Sequence, residues 1–440
     1  MKVLMLGWEF PPHISGGLGT ACLGLTRALD VLGAQVTFVL PHGVVHAGGA
    51  GDEPPRFVES DYISNVLCQK FGLRNTRFHA IPSSLQPYQP VDNGGKAVGA
   101  GLARGKQTSP PAPGSIVGGP HTGMMAGQNY AVDMGREIHR YADVVEAVAH
   151  STEFSVIHAH DWMTFPAALR LRELSGKPLV LHVHSTEFDR SGDRVNQFIY
   201  DIERAGLHNA DRIVAVSYLT KRLCMARYGV DGGKIDVVYN GVDWDRSNDA
   251  TQPASIDAGE KIVLFLGRIT MQKGPEYFVA AAKRVLEKID NVKFIMAGSG
   301  DQIINTIELA AHLGIGHKIL FTGFLRGADV DRAFAMADLY VMPSVSEPFG
   351  IAPLEALSHG VPVIISKQSG VAEVLTHALK VDFWDIDEMA NKIIAVLRHR
   401  PLQTTLRDHG HQEARGLSWS DSAAHCLRVY SRLSGNGAMN

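Results

Sequence analysis

Residues 343–364 read PSVSEPFGIAPLEALSHGVPVI. An apolar run at 339–342 leads into this stretch, and a helix-forming run at 352–359 leaves it. A chain that passes from strand to helix through a tight turn leaves backbone N–H groups unpaired at the positive end of the helix dipole. That arrangement suits an anion, and a diphosphate in particular. Gly350 lets a ligand come close to the backbone. Glu355 lies on the first turns of the helix and can bind neutral hydroxyls such as those of a ribose. Glu347 lies before the helix and can reach a different part of the same ligand. A sugar–diphosphate–ribose molecule has hydroxyls at both ends and an anion between them, which fits this layout. A solvent-facing cap at Glu347 and a surface charge at Glu355 would give the same spacing, so the rest of the chain has to decide.

Working outward, short β-branched apolar runs alternate with amphipathic stretches. The runs fall at 2–6, 35–40, 155–159, 179–183, 212–217 and 234–238, then at 262–266, 292–297, 318–321, 339–342 and 363–366. Strand–helix–strand alternation predicts an α/β protein with parallel sheets and helices on both faces. The pattern restarts after a polar stretch at 240–260, which reads as a linker. The expectation is therefore two Rossmann-like, doubly wound domains, 1–245 and 246–417, facing a deep cleft. Such sheets bind ligands beyond the carboxyl ends of their strands. Residues 86–128 are rich in Gly, Pro and small residues without periodicity, and read as a mobile surface insertion. The amphipathic stretch at 418–435 reads as a last helix that packs back on the first domain.

In FLGRITMQKGPEYF (265–278), Arg268 follows the end of a strand at once, and Lys273 precedes the next helix. A guanidinium fork and an ammonium point charge at that place suit a diphosphate; ordinary surface charge is the competing reading. EFPPHISGGLGT (9–20) is a glycine-rich strand–loop–helix with Gly16 and Gly17 in the loop. It does not match G-x-G-x-x-G, so a dinucleotide cofactor is not indicated. His158, His160 and Asp161 end one strand, while His182 and His184 end another. Histidines on alternate residues share one face and raise a metal-dependent hydrolase as an alternative; hydrogen-bonded structural histidines give the same pattern. The D-x-D triplets at 243–245 and 385–387 read as surface.

The chain has 440 residues, too many for one compact core. A formal net charge of −3 gives no reason to expect nucleic acid as partner. Four cysteines lie far apart without C-x-x-C pairing and read as reduced thiols of a cytoplasmic protein. The start, MKVLMLGWEF, reads as a first strand and not as a signal peptide. No apolar run is long enough to span a membrane, which leaves peripheral contact possible. Nothing in the sequence sets the oligomeric state.

Glu347 and Glu355 around the Pro-Phe-Gly turn, Arg268 with Lys273-Gly274, HAHDW (158–162) and VYNGVD (238–243) together carry a family resemblance. The chain resembles the retaining glycosyltransferases of the two-Rossmann (GT-B) type, and is most similar to their glycogen-synthase-like, family 4 branch. The resemblance spans nearly the whole chain except 86–128. It implies that Glu347 holds donor-sugar hydroxyls, Glu355 the nucleotide ribose, and Arg268 and Lys273 the diphosphate. Backbone amides at Gly350 and Ile351 would meet the sugar or phosphate, and Gly17 would approach the phosphates from the first domain. His184 and Asp161 would line the sugar and acceptor site. It further implies transfer with retention by front-face attack, without a metal or other cofactor. The donor would be UDP- or ADP-glucose and the acceptor an α-glucan or related saccharide. A lipid, a small sugar or an envelope polysaccharide is the alternative acceptor. One departure is Ile14, two residues before the Gly-Gly pair, where starch and glycogen synthases commonly carry Lys. It bears on the polyglucan acceptor and leaves the fold untouched.

Overall fold

The structure is a computed structural model that describes residues 1–12, 16–42, 60–82, 125–242, 244 and 259–435. Two sheets, parallel throughout, organise it. The seven-stranded sheet comprises β1 (Lys2–Leu6), β2 (Gln35–His42), β3 (Thr76–Pro82), β4 (Val156–His160), β5 (Leu179–Val183), β6 (Arg212–Ala215) and β7 (Ile235–Val237). Its order is β3-β2-β1-β4-β5-β6-β7. The six-stranded sheet comprises β8 (Lys261–Leu266), β9 (Val292–Ala297), β10 (Ile319–Gly323), β11 (Leu339–Met342), β12 (Val363–Ser366) and β13 (Leu379–Val381). Its order is β10-β9-β8-β11-β12-β13. Both are doubly wound α/β sheets, as the alternation predicts.

Central strands of such sheets are buried on both faces, so their residues run apolar without alternation. In β1, Leu4 and Leu6 pack into one core while Val3 and Met5 pack into the core on the opposite face. Each fully buried side chain of this size stabilises the fold by roughly 1.5–3 kcal/mol. The second sheet divides its core in the same way, with Val263 on one face and Leu264 on the other.

All strands except β3 and β13 fall where the sequence puts them. Both exceptions are sheet edges. β3 alternates buried Phe78 and Ile81 with exposed Arg77 and half-buried His79, and β13 is three residues long. Neither shows the continuous apolar run that marks the central strands.

The strand order reverses direction between β1 and β4 in the first sheet, and between β8 and β11 in the second. At such switch points, adjacent loops leave in opposite directions and open a crevice. The chain crosses back at its end. The helix Trp419–Leu433 buries Ala423, Cys426, Val429 and Tyr430 in the first-domain core with Val3, Met5 and Leu25. Residues 86–124 of the glycine- and proline-rich insertion, Asp243 and 245–258 of the linker, and Ile14 lie outside the described residues. No helix among the described residues is long and apolar enough to cross a membrane.

Candidate active site

Two loops meet at the switch point of the second sheet. The first leaves β8 through Gly267 and Arg268 and ends in the turn Met271–Lys273, before the helix Pro275–Leu286. The second leaves β11 at Pro343. The Gln272 carbonyl accepts the Val345 amide at 2.9 Å and joins them. Gly274, at φ +64°, makes the tight passage possible: a Cβ there would lie 2.3 Å from the Pro343 carbonyl oxygen. Lys273 is thereby aimed at the second loop, where its Nζ lies 2.5 Å from Glu347 Oε2. Ser344 Oγ donates to the same oxygen at 3.2 Å. The Glu347 backbone is pinned on both sides, by its N–H on Gln368 O and its C=O on the Gly370 N–H, each at 2.9 Å.

Gly350 (φ +102°) then turns the chain into the helix Ala352–Ser358, which no side chain caps. This helix has only seven residues, so its dipole is short. Ile351 opens it and Glu355 lies on its first turn. Tyr340, on β11, senses both carboxylates. Burial first, then the charges of Glu347 and Glu355, push its phenol well up, and its hydroxyl donates to Leu266 O at the end of β8 at 3.2 Å. Glu347 and Glu355 are thus brought to one site, beside the strand that carries Arg268.

The switch point of the first sheet supplies the opposite wall. Beyond β1, the buried Glu9 carboxylate accepts the Gly19 amide near the start of the helix Gly17–Val31. Burial pushes this carboxyl up, and the positive charge of Arg268, from the other domain, pulls it back. Gly17 is exposed, and a Cβ added there would meet nothing within 4 Å. Beyond β4, Asp161 sits at φ +58° and ψ 168°. That region is close to glycine-only and costs on the order of 1–3 kcal/mol, a strain characteristic of a constrained site. Its Oδ1 accepts the His184 amide at 2.7 Å and the Ser185 amide at 3.4 Å. Burial outweighs these bonds and pushes Asp161 up to about 7.

His184 Nε2 lies 2.8 Å from His160 Nδ1, and His158 Nε2 lies 3.2 Å from His182 Nδ1. His158 Nδ1 meets the Tyr430 hydroxyl of the returning C-terminal helix. Burial pushes His158 and His184 down to about 3, and His160 and His182 well below their ordinary value. Nitrogens of His158, His160 and His182 lie within 4.8 Å of one another. Yet these rings lie 4.5–5.3 Å apart at interplanar angles of 18–28°. His158 and His182 spend a nitrogen on each other, and His160 spends one on His184. This is the geometry of a neutral imidazole stack, which weighs against the hydrolase alternative.

Three residues that sequence reasoning passed over bridge the domains. Ser346 Oγ donates to Asp189 Oδ1 at 2.6 Å, while Asp189 Oδ2 closes a capping box with Thr186. Ser217 caps the helix Tyr218–Tyr228 and donates to Pro348 O at 2.5 Å. Glu373, from the second domain, accepts the amides of Tyr218 and Leu219 at 2.9 and 2.7 Å at that helix's N-terminus. T-x-x-D at 186–189 was the one local signal available; the partners across the cleft leave none. Glu9 was also passed over, although it follows the first strand closely. Asp385, of the second D-x-D triplet, caps the helix Ile386–Arg398.

Two doubly wound parallel sheets, each with charged side chains beyond the carboxyl ends of its strands, give the two-domain architecture of the GT-B type. The comparisons agree. The family model for "Glycosyl transferases group 1" matches residues 247–413, and that for "Glycosyltransferase Family 4" matches residues 120–246. The starch synthase catalytic domain matches residues 2–52. The chain is a GT-B glycosyltransferase of the family 4 type. An uncharacterized glycosyltransferase of Methanocaldococcus jannaschii is 28% identical over 98% of both chains. A D-inositol 3-phosphate glycosyltransferase of Mycobacterium sp. (strain JLS) is 28% identical over 65% of this chain and 68% of its own. A glycogen synthase of Mycobacterium tuberculosis is 25% identical over 85% and 80%. Among solved structures, a sucrose-phosphate synthase of Thermosynechococcus elongatus superposes with a TM-score of 0.71 at 18% identity, covering 99% of this chain and 100% of its own. Anabaena HepE in complex with UDP-glucose gives 0.66 at 16% identity, covering 98% and 100%.

Proposed function

We propose that the protein transfers glucose, with retention, from UDP- or ADP-glucose to an α-glucan or related saccharide. The observation that carries this is the Lys273–Glu347 ion pair beside Arg268 at the second switch point, opposite Asp161 and His184 at the first. The donor diphosphate lies against Arg268, Lys273 and the amides of Gly350 and Ile351, with Gly17 closing over it from the first domain. Glu355 takes the ribose hydroxyls. Lys273 has three N–H donors, so it can keep Glu347 while reaching a phosphate oxygen. Glu347, held by Lys273 and Ser344, then presents its remaining oxygen to the sugar hydroxyls.

An acceptor hydroxyl attacks the anomeric carbon from the face that the diphosphate leaves. The anomeric C–O bond breaks with its electrons going to the phosphate oxygen, and that oxygen takes the acceptor proton. No separate base is needed. The fixed cations stabilise the departing charge; a single such donor is worth about 2.7–4 kcal/mol in the transition state. No metal or other cofactor enters this scheme.

A second reading keeps the donor and changes the acceptor to a lipid, a small sugar or an envelope polysaccharide. The D-inositol 3-phosphate glycosyltransferase relative favours a small acceptor, as does Ile14 in place of the lysine of polyglucan synthases. Incubation with labelled UDP- and ADP-glucose and a panel of acceptors, followed by linkage analysis, decides between them. Glucose transfer to none of the panel would refute both.

A further inference from the structure

We propose that Glu9 holds the phosphate cradle of the first domain while the site is empty, and that donor binding displaces this role by protonating it. The inference rests on the donor reading above. Glu9 lies at the switch point of the first sheet and is 6% exposed. Its Oε2 faces the helix Gly17–Val31, accepting the Gly19 amide at 3.3 Å. That helix has no side-chain cap at Gly16 and no acidic residue in its first turn, so the carboxylate reaches it from a different element. Gly16 is shaped to this group: a Cβ there would lie 2.9 Å from Glu9 Oε2. The neighbouring Gly17 opens onto free space. One glycine of the pair therefore makes room for the carboxylate, and the other leaves the adjoining volume clear. From the second domain, Arg268 supplies the positive charge that Glu9 feels most.

A carboxylate that accepts a helix amide and lies in the field of a guanidinium occupies the electrostatic position that a phosphate needs. When the diphosphate arrives, Arg268 turns to it and two anions would share a buried space. Like charges this close do not both stay ionised. The diphosphate of a nucleotide sugar carries no proton near neutrality, so the proton goes onto the Glu9 carboxylate, and solvent supplies it. Protonated Glu9 has an O–H to donate to a phosphate oxygen. Among the described residues, the Cys22 thiol, on that helix, faces Glu9, and Asp161, beyond β4, acts on the same thiol. Burial and both carboxylates push the Cys22 thiol up, which keeps it neutral. Asp161 is the rival proton acceptor, and the test must separate the two.

The experiment is isothermal titration of UDP-glucose and ADP-glucose into the full chain at pH 8, in two buffers of different ionisation enthalpy. The variants are Glu9→Gln and, as the donor control, Lys273→Ala. Glutamine keeps an oxygen for the Gly19 amide, and a thermal melt checks its folding. The wild type is expected to take up about one proton per nucleotide sugar bound. Glu9→Gln takes up none and binds about tenfold more tightly at pH 8, because the like-charge penalty is gone. Absence of uptake in the wild type, unchanged uptake in Glu9→Gln (the proton then belongs to Asp161), or weaker binding by Glu9→Gln would each overturn the proposal. If the wild type binds neither nucleotide sugar, or Lys273→Ala binds as well as the wild type, the donor reading itself fails and this inference falls with it.

Discussion

Lowering the pH from 7.5 to 5 should loosen the first domain before the second, through the stacked histidines. An unfolded imidazole titrates near pH 6.5, whereas His158 and His184 are pushed down to about 3 by burial. Below pH 6.5 the unfolded chain binds protons that the folded chain refuses, so stability falls as the pH drops through that window. For a group shifted this far the loss between pH 7.5 and 5 is about 2 kcal/mol. His158 and His184 together give up to about 4 kcal/mol, the partly exposed edge of His184 trimming the sum. His160 and His182 are pushed well below their ordinary value by burial and by their neighbours, and add to the loss. Asp161 works the other way. Its carboxyl is pushed up to about 7, so the fold regains about 2.5 kcal/mol as the pH falls from 7.5 to 5. Glu9 and Glu203, also raised by burial, add to that gain. The four imidazoles together outweigh the carboxyls, so the fold loses stability on balance, against a typical total of about 5–15 kcal/mol. Urea melts followed by the fluorescence of the buried Trp8 and Trp162, with hydrogen exchange of the β4 and β5 amides, report on the first domain. Asp161→Asn removes the largest gain and should deepen the acid loss by about 2.5 kcal/mol. A midpoint at pH 5 equal to or above that at pH 7.5 would refute the reasoning, as would an Asp161→Asn variant with no steeper acid response.

Arg268→Ala and Glu347→Ala should each lower kcat/KM of labelled sugar transfer by about 10²–10³; near-normal turnover in either would mean the donor lies elsewhere. Glu373→Ala strips both acceptors from the start of the Tyr218–Tyr228 helix, at a cost of about 1 kcal/mol. The cleft should open, read as a larger radius of gyration by small-angle scattering and a raised donor KM with kcat little changed; an unaltered scattering curve would count against the bridge. Gly274→Ala places a Cβ 2.3 Å from the Pro343 carbonyl oxygen at a left-handed residue. It should lower the melting temperature by the equivalent of about 1–3 kcal/mol and weaken UDP-glucose binding by displacing Lys273. A variant as stable and as tight-binding as the parent would mean that the turn does not aim the lysine.

Central strands were legible because burial on both faces forces an uninterrupted apolar run, as in KVLML and LYVM. β3 and β13 were not, because Thr76, Arg77 and His79 interrupt the apolar run of the first and the second is only LKV. At the site, Glu347, Arg268 and Lys273 could be read because each sits within a few residues of a strand end, where doubly wound sheets hold ligands. The Lys273–Glu347 contact spans 74 residues and follows from the strand order, which places β8 beside β11. No local pattern announces that pairing. The same holds for Ser217, Ser346 and Glu373, whose partners belong to the other domain. The histidines were legible as a group but not as a stack. His160 and His182 are register partners across β4 and β5, and only that register turns two H-x-H tripeptides into facing rings.

The interdomain contacts bear on why the site is built from two sheets and not one. Asp189, Ser217 and Glu373 each serve a helix N-terminus while reaching across to the other domain. A helix start needs a partner in any case, so domain approach adds a hydrogen bond to groups already fixed in place and orders few new side chains. The resulting closure is shallow in energy, since each such bond contributes only about 0.5–1.5 kcal/mol net. Shallow closure is what a cleft needs if it must admit a nucleotide sugar and release a nucleotide. Strong charges are kept for the floor, where Lys273 and Glu347 hold each other and Arg268 acts on Glu9. On the proposed donor reading, a diphosphate would have to offer more charge than Glu9 does to draw Arg268 away, so the carboxylate already at the site would favour a dianionic donor, while the caps set how readily the domains part.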